Sequence, residues 1–73
     1  MKFKLLNVIE SYSKNGNKFY QAIVFDEIYN TTKLFINEDK YNDLLPLIGT
    51  DVTDRISLRY VRNNNEEYYK LYI

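Results

Sequence analysis

Asn15-Gly16 lies between two runs rich in β-forming residues, and no other dipeptide restricts the folding of this chain so strongly. Both residues tolerate a positive φ, so the pair closes an antiparallel hairpin rather than extending an element. On the N-terminal side Phe3, Leu5 and Ile9 alternate with Leu6 and Val8, and both sets are apolar, as in a strand covered on both faces over part of its length. On the other side runs Lys-Phe-Tyr-Gln-Ala-Ile-Val-Phe-Asp. The sequence therefore predicts strand one over Lys2–Tyr12 and, paired with it, strand two over Lys18–Asp26.

Glu27–Asn30 reads as a second turn, and Thr31–Ile36, with its β-branched and aromatic residues, as strand three. Asn37 is placed to cap a helix whose first turn carries Glu38 and Asp39, where acids suit the helix dipole. Tyr41, Leu44, Leu45 and Ile48 form its apolar stripe. Pro46 ends or tightens this helix near Leu45, before Gly49 stops it. From Asp51 to Arg62 apolar Val52, Ile56, Leu58 and Tyr60 alternate with polar Thr53, Arg55, Ser57 and Arg59, the period of a half-buried strand four. Asn63–Glu66 turns the chain. Strand five, Glu67–Ile73, places Tyr69, Leu71 and Ile73 on one face and Tyr68, Lys70 and Tyr72 on the other.

The expected fold is mainly β with one short helix, in the order β-β-β-α-β-β, as a single domain over residues 1–73. Five short strands with a helix between the third and fourth is the layout of the OB-fold, a partly open Greek-key barrel. An SH3-like barrel has as many strands but only a 3₁₀ turn before its last one, so the Asn37–Gly49 segment decides for an OB-like barrel.

The composition removes most chemistry. With no His and no Cys, the chain lacks the means for a Ser-His-Asp or Cys-His nucleophile, an ordinary zinc site, an iron–sulfur site or a disulfide framework. Asp51 with Asp54, or Glu38 with Asp39, are the pairs that a carboxylate-held cation would use. Neither lies in a Ca²⁺-loop pattern or beside a phosphate loop, and acids at element boundaries cap or solvate. A non-enzymatic protein with no cofactor and no metal is expected. Lys and Arg balance Asp and Glu at 10 each, so any polyanion site must come from how charge is distributed. No stretch has the apolar length of a signal peptide or a membrane helix, which reads as cytoplasmic and away from membranes. Nine Asn, seven Lys, eight Tyr and one Ala fit an AT-rich coding sequence, as in a low-GC bacterium, its phages or its plasmids.

If strands four and five turn Val52, Ile56, Leu58, Tyr60, Tyr69, Leu71 and Ile73 inward, then Arg55, Arg59, Tyr68, Lys70 and Tyr72 face outward. Strand two adds Lys18 and Tyr20, and strand three adds Lys33 and Phe35, each a cation two positions from a ring. Cations interleaved with exposed rings suit a single-stranded nucleic acid, DNA or RNA: the charges neutralise phosphates, and each ring stacks on an unpaired base for about 1–3 kcal/mol. Aromatic–basic pairs also stabilise a sheet by a few tenths to about 1 kcal/mol with no ligand at all. Eight Tyr and four Phe nevertheless exceed what the core of so small a barrel holds, so the surplus is exposed or lies in a subunit interface.

Ser13-Lys14-Asn15-Gly16-Asn17-Lys18-Phe19-Tyr20, a basic Gly-bearing hairpin opening an aromatic strand, resembles the corresponding stretch of small phage and plasmid single-stranded-DNA-binding proteins, the helix-destabilising proteins of filamentous phages among them. The order of elements is similar along the whole chain. The resemblance implies an OB-fold homodimer that coats single strands without sequence preference. It implies DNA contacts on Lys14, Lys18, Tyr20, Lys33 and Phe35, with Arg55 and Arg59 as further candidates. The competing expectation is a protein-interaction module that turns the same Tyr-rich face toward a host protein, which zero net charge favours.

Overall fold

The computed structural model describes residues 2–73. Its elements are β1 (Lys4–Tyr12), β2 (Lys18–Asp26), β3 (Asn30–Ile36), α1 (Glu38–Leu44), β4 (Ser57–Asn63) and β5 (Glu66–Tyr72), with 3₁₀ turns at Leu45–Leu47 and Thr53–Arg55. The predicted order is observed, with one shift: strand four begins at Ser57 rather than Asp51. The preceding residues instead make a single bridge, Lys4 to Asp51, and then the turn that holds Arg55.

Both early hairpins use a left-handed residue, but at different places in the turn. At the first, the Gly16 N–H donates to the Ser13 carbonyl at 2.9 Å, the Ser13 N–H donates to the Asn17 carbonyl at 2.8 Å, and Gly16 has φ +82°. This is the three-residue loop in which a left-handed residue follows a type I turn. At the second, Asn30 takes the left-handed position with φ 58°, opposite Asp26. Asp26 is the buried acid of the core region. Its Oδ1 accepts from the N–H groups of Ile28 at 2.7 Å and Tyr29 at 3.1 Å, so the side chain itself builds the turn.

The two apolar registers of β1 have a different cause from the one expected. Pairing with β2 shifts between Leu5 and Asn7, so Leu6 is bulged out of the ladder and the Asn7 side chain accepts from the Val8 N–H at 2.9 Å. Inward positions therefore run Phe3, Leu5, Val8 rather than in strict alternation, and Leu6 is exposed. Through the register, Ala22 and Val24 of β2 and Leu34 of β3 share that inner face. The outer face carries Ile9, Phe19, Ile23, Phe25, Lys33 and Phe35.

Helix α1 crosses the inner face. Asn37 caps it by accepting from the Lys40 N–H at 2.8 Å, with Glu38 and Asp39 in the first turn. Pro46 then tightens the chain into a 3₁₀ turn, which changes the angular step. Leu44 is fully buried and Leu47 packs on the core, while Leu45 and Ile48 of the predicted stripe are about 40% exposed.

β1, β2 and β3 form one antiparallel sheet, and β4 with β5 forms a second. Segment Gly49–Thr53 laces the two parts together along the free edge of β1: Gly49 N–H to the Leu5 carbonyl at 2.7 Å, Leu5 N–H to the Thr50 carbonyl at 2.9 Å and Val52 N–H to the Phe3 carbonyl at 2.8 Å, with the Phe3 N–H donating to Thr53 Oγ1 at 2.8 Å. No ladder joins β3 to β5 among the described residues. The mainly β architecture with one short helix is thus observed as two antiparallel sheets and a helix, and no strand pairing among the described residues closes the gap between the hairpin and the β3 edge. Leu71 and Ile56 anchor the hairpin to the core, but Leu58, Tyr60 and Tyr69, expected inside, are exposed on its core-facing side.

Leu44→Ala is expected to cost roughly 2–5 kcal/mol in urea unfolding, and Leu45→Ala less than about 1 kcal/mol, a contrast that tests the altered helix stripe. Burial pushes the Asp26 carboxyl upward, but the N–H groups of Ile28, Tyr29 and Lys2 outweigh it and hold the carboxyl below its ordinary value. A depressed folded-state value gives stability that is complete above the unfolded Asp value near 4 and is lost as pH falls through the folded one. In Asp26→Asn, unfolding midpoints compared between about pH 3 and about pH 7 are therefore expected to differ less than in the parent.

Candidate functional site

The expected aromatic–basic residues divide between two surfaces. Tyr20 opposes Ile36 and Glu10 on the inner face, where its ring packs on Tyr41 of α1 at a centroid distance of 4.7 Å. Burial there raises the Tyr20 phenol above its usual value. Lys18 shares this face: its ammonium lies 3.9 Å from Glu10 Oε2 and 5.9 Å from the Tyr12 ring centre, and Glu10, then Tyr12, push its pKa up. Tyr20 is thus helix packing, and Lys18 is engaged by neighbours on its own hairpin. Lys14 stands exposed at the tip of that hairpin.

Lys33 and Phe35 point the other way. Phe35 is 73% exposed, and its ring leans on Phe19 at 5.7 Å, a diagonal pair on the outer face of the sheet. On the second sheet the alternation expected for the hairpin is observed: Arg59 opposes Lys70, Val61 opposes Tyr68 and Ser57 opposes Tyr72 on one face. The Arg59 guanidinium sits 4.7 Å from the Tyr72 ring centre and the Lys70 ammonium 5.4 Å from it. Two cations and a ring therefore form one cluster, with Tyr68 further along the same face. Arg55, in its 3₁₀ turn, lies outside this strand phase.

Between the sheets runs a cleft of about 330 Å³. Lys33 and Thr32 line it from β3, Lys70 and Tyr69 from β5, and Leu34, Leu58 and Leu71 supply its apolar surface. This cleft brings together Lys33 and Lys70, which the sequence alone assigns to separate strands with no relation between them. Tyr29, from the β2–β3 turn, also lines it. Neither Tyr29 nor Tyr69 stands out in the sequence, because Tyr29 lies in a turn and Tyr69 has the phase of a core residue. The one signal that points toward them is the surplus of aromatic residues.

No family model matches the chain, and neither a curated protein nor a solved structure matches it.

Of the carboxylate pairs, Glu38 and Asp39 lie in the first turn of α1, and Asp51 is engaged locally. Asp51 Oδ1 accepts from the Thr53 N–H at 2.8 Å, and the Thr53 side chain and backbone hold the Asp51 carboxyl below its ordinary value. No group of three or more metal-ligating side chains occurs among the described residues. A larger hollow of about 510 Å³, beside the β2–β3 turn, is lined by Lys2 and Lys4 but also by Asp26, Glu27 and Asp51, so its charges oppose one another. No helix among the described residues is long and apolar enough to cross a membrane.

Tyr20→Ala is expected to cost about 1 kcal/mol or more of stability, since it removes a ring from under the helix, while Phe35→Ala shifts stability by about 0.5 kcal/mol or less. Urea unfolding of the two variants checks the division between structural and exposed rings.

Proposed function

We propose that this chain is a non-enzymatic, single-stranded nucleic-acid-binding protein with an OB-like, partly open barrel, and that the strand lies on the outer surface across β3 and β5. The observation that carries the reading is the shared cleft of Lys33 and Lys70, with Phe35 two residues from one and the Arg59–Tyr72 stack beside the other. Lys33 and Lys70 each alternate with a core leucine, Leu34 and Leu71, and both lysines line the cleft between the sheets. Phosphates fit the cations, and unpaired bases fit Phe35 and Tyr72. Of the residues expected from the sequence, Lys33, Phe35, Arg59, Lys70, Tyr72 and Tyr68 belong to this surface, Lys14 extends it at the hairpin tip, and Lys18 and Tyr20 do not take part.

One feature favours a second reading, contact with a protein surface such as a second copy of the chain. The outer face of the first sheet has Ile9, Phe19, Ile23, Phe25 and Phe35 around Lys33, with Lys4 opposite Phe25 at its far end. A protein occupant needs no phosphates, so the two readings part on one titration.

Fluorescence anisotropy with labelled oligo-dT at low salt is expected to show binding. Phe35→Ala weakens it by about 1–3 kcal/mol without changing the salt dependence. Arg59→Ala flattens the slope of log affinity against log salt by about 0.7 for each phosphate left unneutralised, and Lys18→Ala leaves both near the parent values. An absence of binding, with light scattering giving twice the 8.8 kDa monomer mass, transfers the apolar face to the second reading.

A further inference from the structure

The cleft between β3 and β5 has features that an outer-surface path leaves unused. Each of its two rings contacts a ring outside the cleft. Tyr29 stacks on Phe3, with centroids 6.2 Å apart and planes at 17°, and Phe3 is itself buried in the core. Tyr69 meets Tyr60 edge-on, with centroids 5.5 Å apart and planes at 62°. Tyr69 nevertheless remains 67% exposed. A ring resting on a buried ring, as Tyr29 does, loses little freedom when a third planar group stacks on it, which is the condition for a preorganised platform, while Tyr69 offers an open face on the other side. Leu34, Leu58 and Leu71 give the cleft apolar walls, and no carboxylate among the described residues lines it, while Lys33 and Lys70 do.

A ligand that matches this set is planar, apolar on its faces and joined to an anion. The volume of about 330 Å³ is at the small end of small-molecule sites, room for one ring system rather than a chain of them. The unpaired edges of β3 and β5 add backbone donors and acceptors on either side, which the polar rim of a base can use. We infer that the cleft captures a single unstacked nucleobase from the bound strand, against Tyr29 or Tyr69, with the adjoining phosphates between Lys33 and Lys70. This deepens the proposed function and rests on it. A base paired within a duplex cannot enter, so the cleft also selects for single strands.

The test separates the cleft from the outer surface. Leu58→Trp fills the cleft from its wall at a position that is already 45% exposed, and Tyr69→Ala removes one platform. Each is expected to lower oligo-dT affinity by about 5- to 150-fold with an unchanged salt slope, with circular dichroism confirming the fold. Photo-crosslinking of the parent protein to oligo-dT carrying one 5-iodouracil is expected to mark Tyr69 or Tyr29, and Leu58→Trp to abolish that mark while marks on Phe35 or Tyr72 persist. If the variants bind as the parent does and crosslinks fall only on Phe35 or Tyr72, the cleft inference is overturned and the outer-surface reading stands. If the parent binds no oligo-dT, both fall. Should Leu58→Trp fail to fold, Tyr69→Ala and the parent's crosslink map decide alone.

Discussion

The fold depends on four hydrogen bonds between Phe3–Leu5 and Gly49–Thr53. Everything before them is a meander plus a helix, and everything after them is a hairpin, and each of those pieces is built from residues close together in sequence. A two-stranded hairpin alone is at best marginally stable in water. Here it is held because the lacing delivers Val52 into the core and sets the direction from which Ile56 and Leu71 follow it. Gly49, with φ +88°, makes the reversal that allows its own N–H to reach Leu5.

That arrangement also explains why the hairpin carries candidate binding residues on both faces. It is anchored at one end only, so the core covers Leu71 and leaves Tyr60 and Tyr69, further along the ribbon, open to solvent. Such a ribbon exposes more aromatic surface than a closed barrel of the same length would, and the proposed site uses it. The outer face supplies Arg59, Lys70 and Tyr72 in one cluster, while the core-facing side supplies Tyr69 to the cleft.

Much of this is legible in the residues. Asn-Gly, the Asn37 cap and the period of Tyr68–Ile73 are local signals with local causes, and the element order follows from them. What is not legible depends on chain segments far apart. The Leu6 bulge makes β1 look covered on both faces, because a one-residue slip and two-sided burial leave the same apolar pattern. The early start expected for strand four comes from alternation that continues through Asp51–Arg55, although Asp51 and Thr53 spend their side chains on a turn and on Phe3. Tyr20 and Phe35 look equivalent as rings two positions from a lysine, and only the cross-strand register places them on opposite faces. The cleft pairing of Lys33 with Lys70 requires the relative placement of the two sheets, which no local pattern encodes.

The unpaired edges of β3 and β5 carry a further meaning for the protein in a crowded solution. Two open strand edges invite pairing with any extended chain, and a small β protein that leaves them bare is prone to aggregate. Lys33 and Lys70 stand at those edges. Burying a lysine ammonium against an incoming strand is costly, so the two residues act as gatekeepers that keep the gap open without letting it polymerise. A polyanion that neutralises them would lift that guard, which ties the behaviour of the free protein to the same charges that the proposed site offers a ligand.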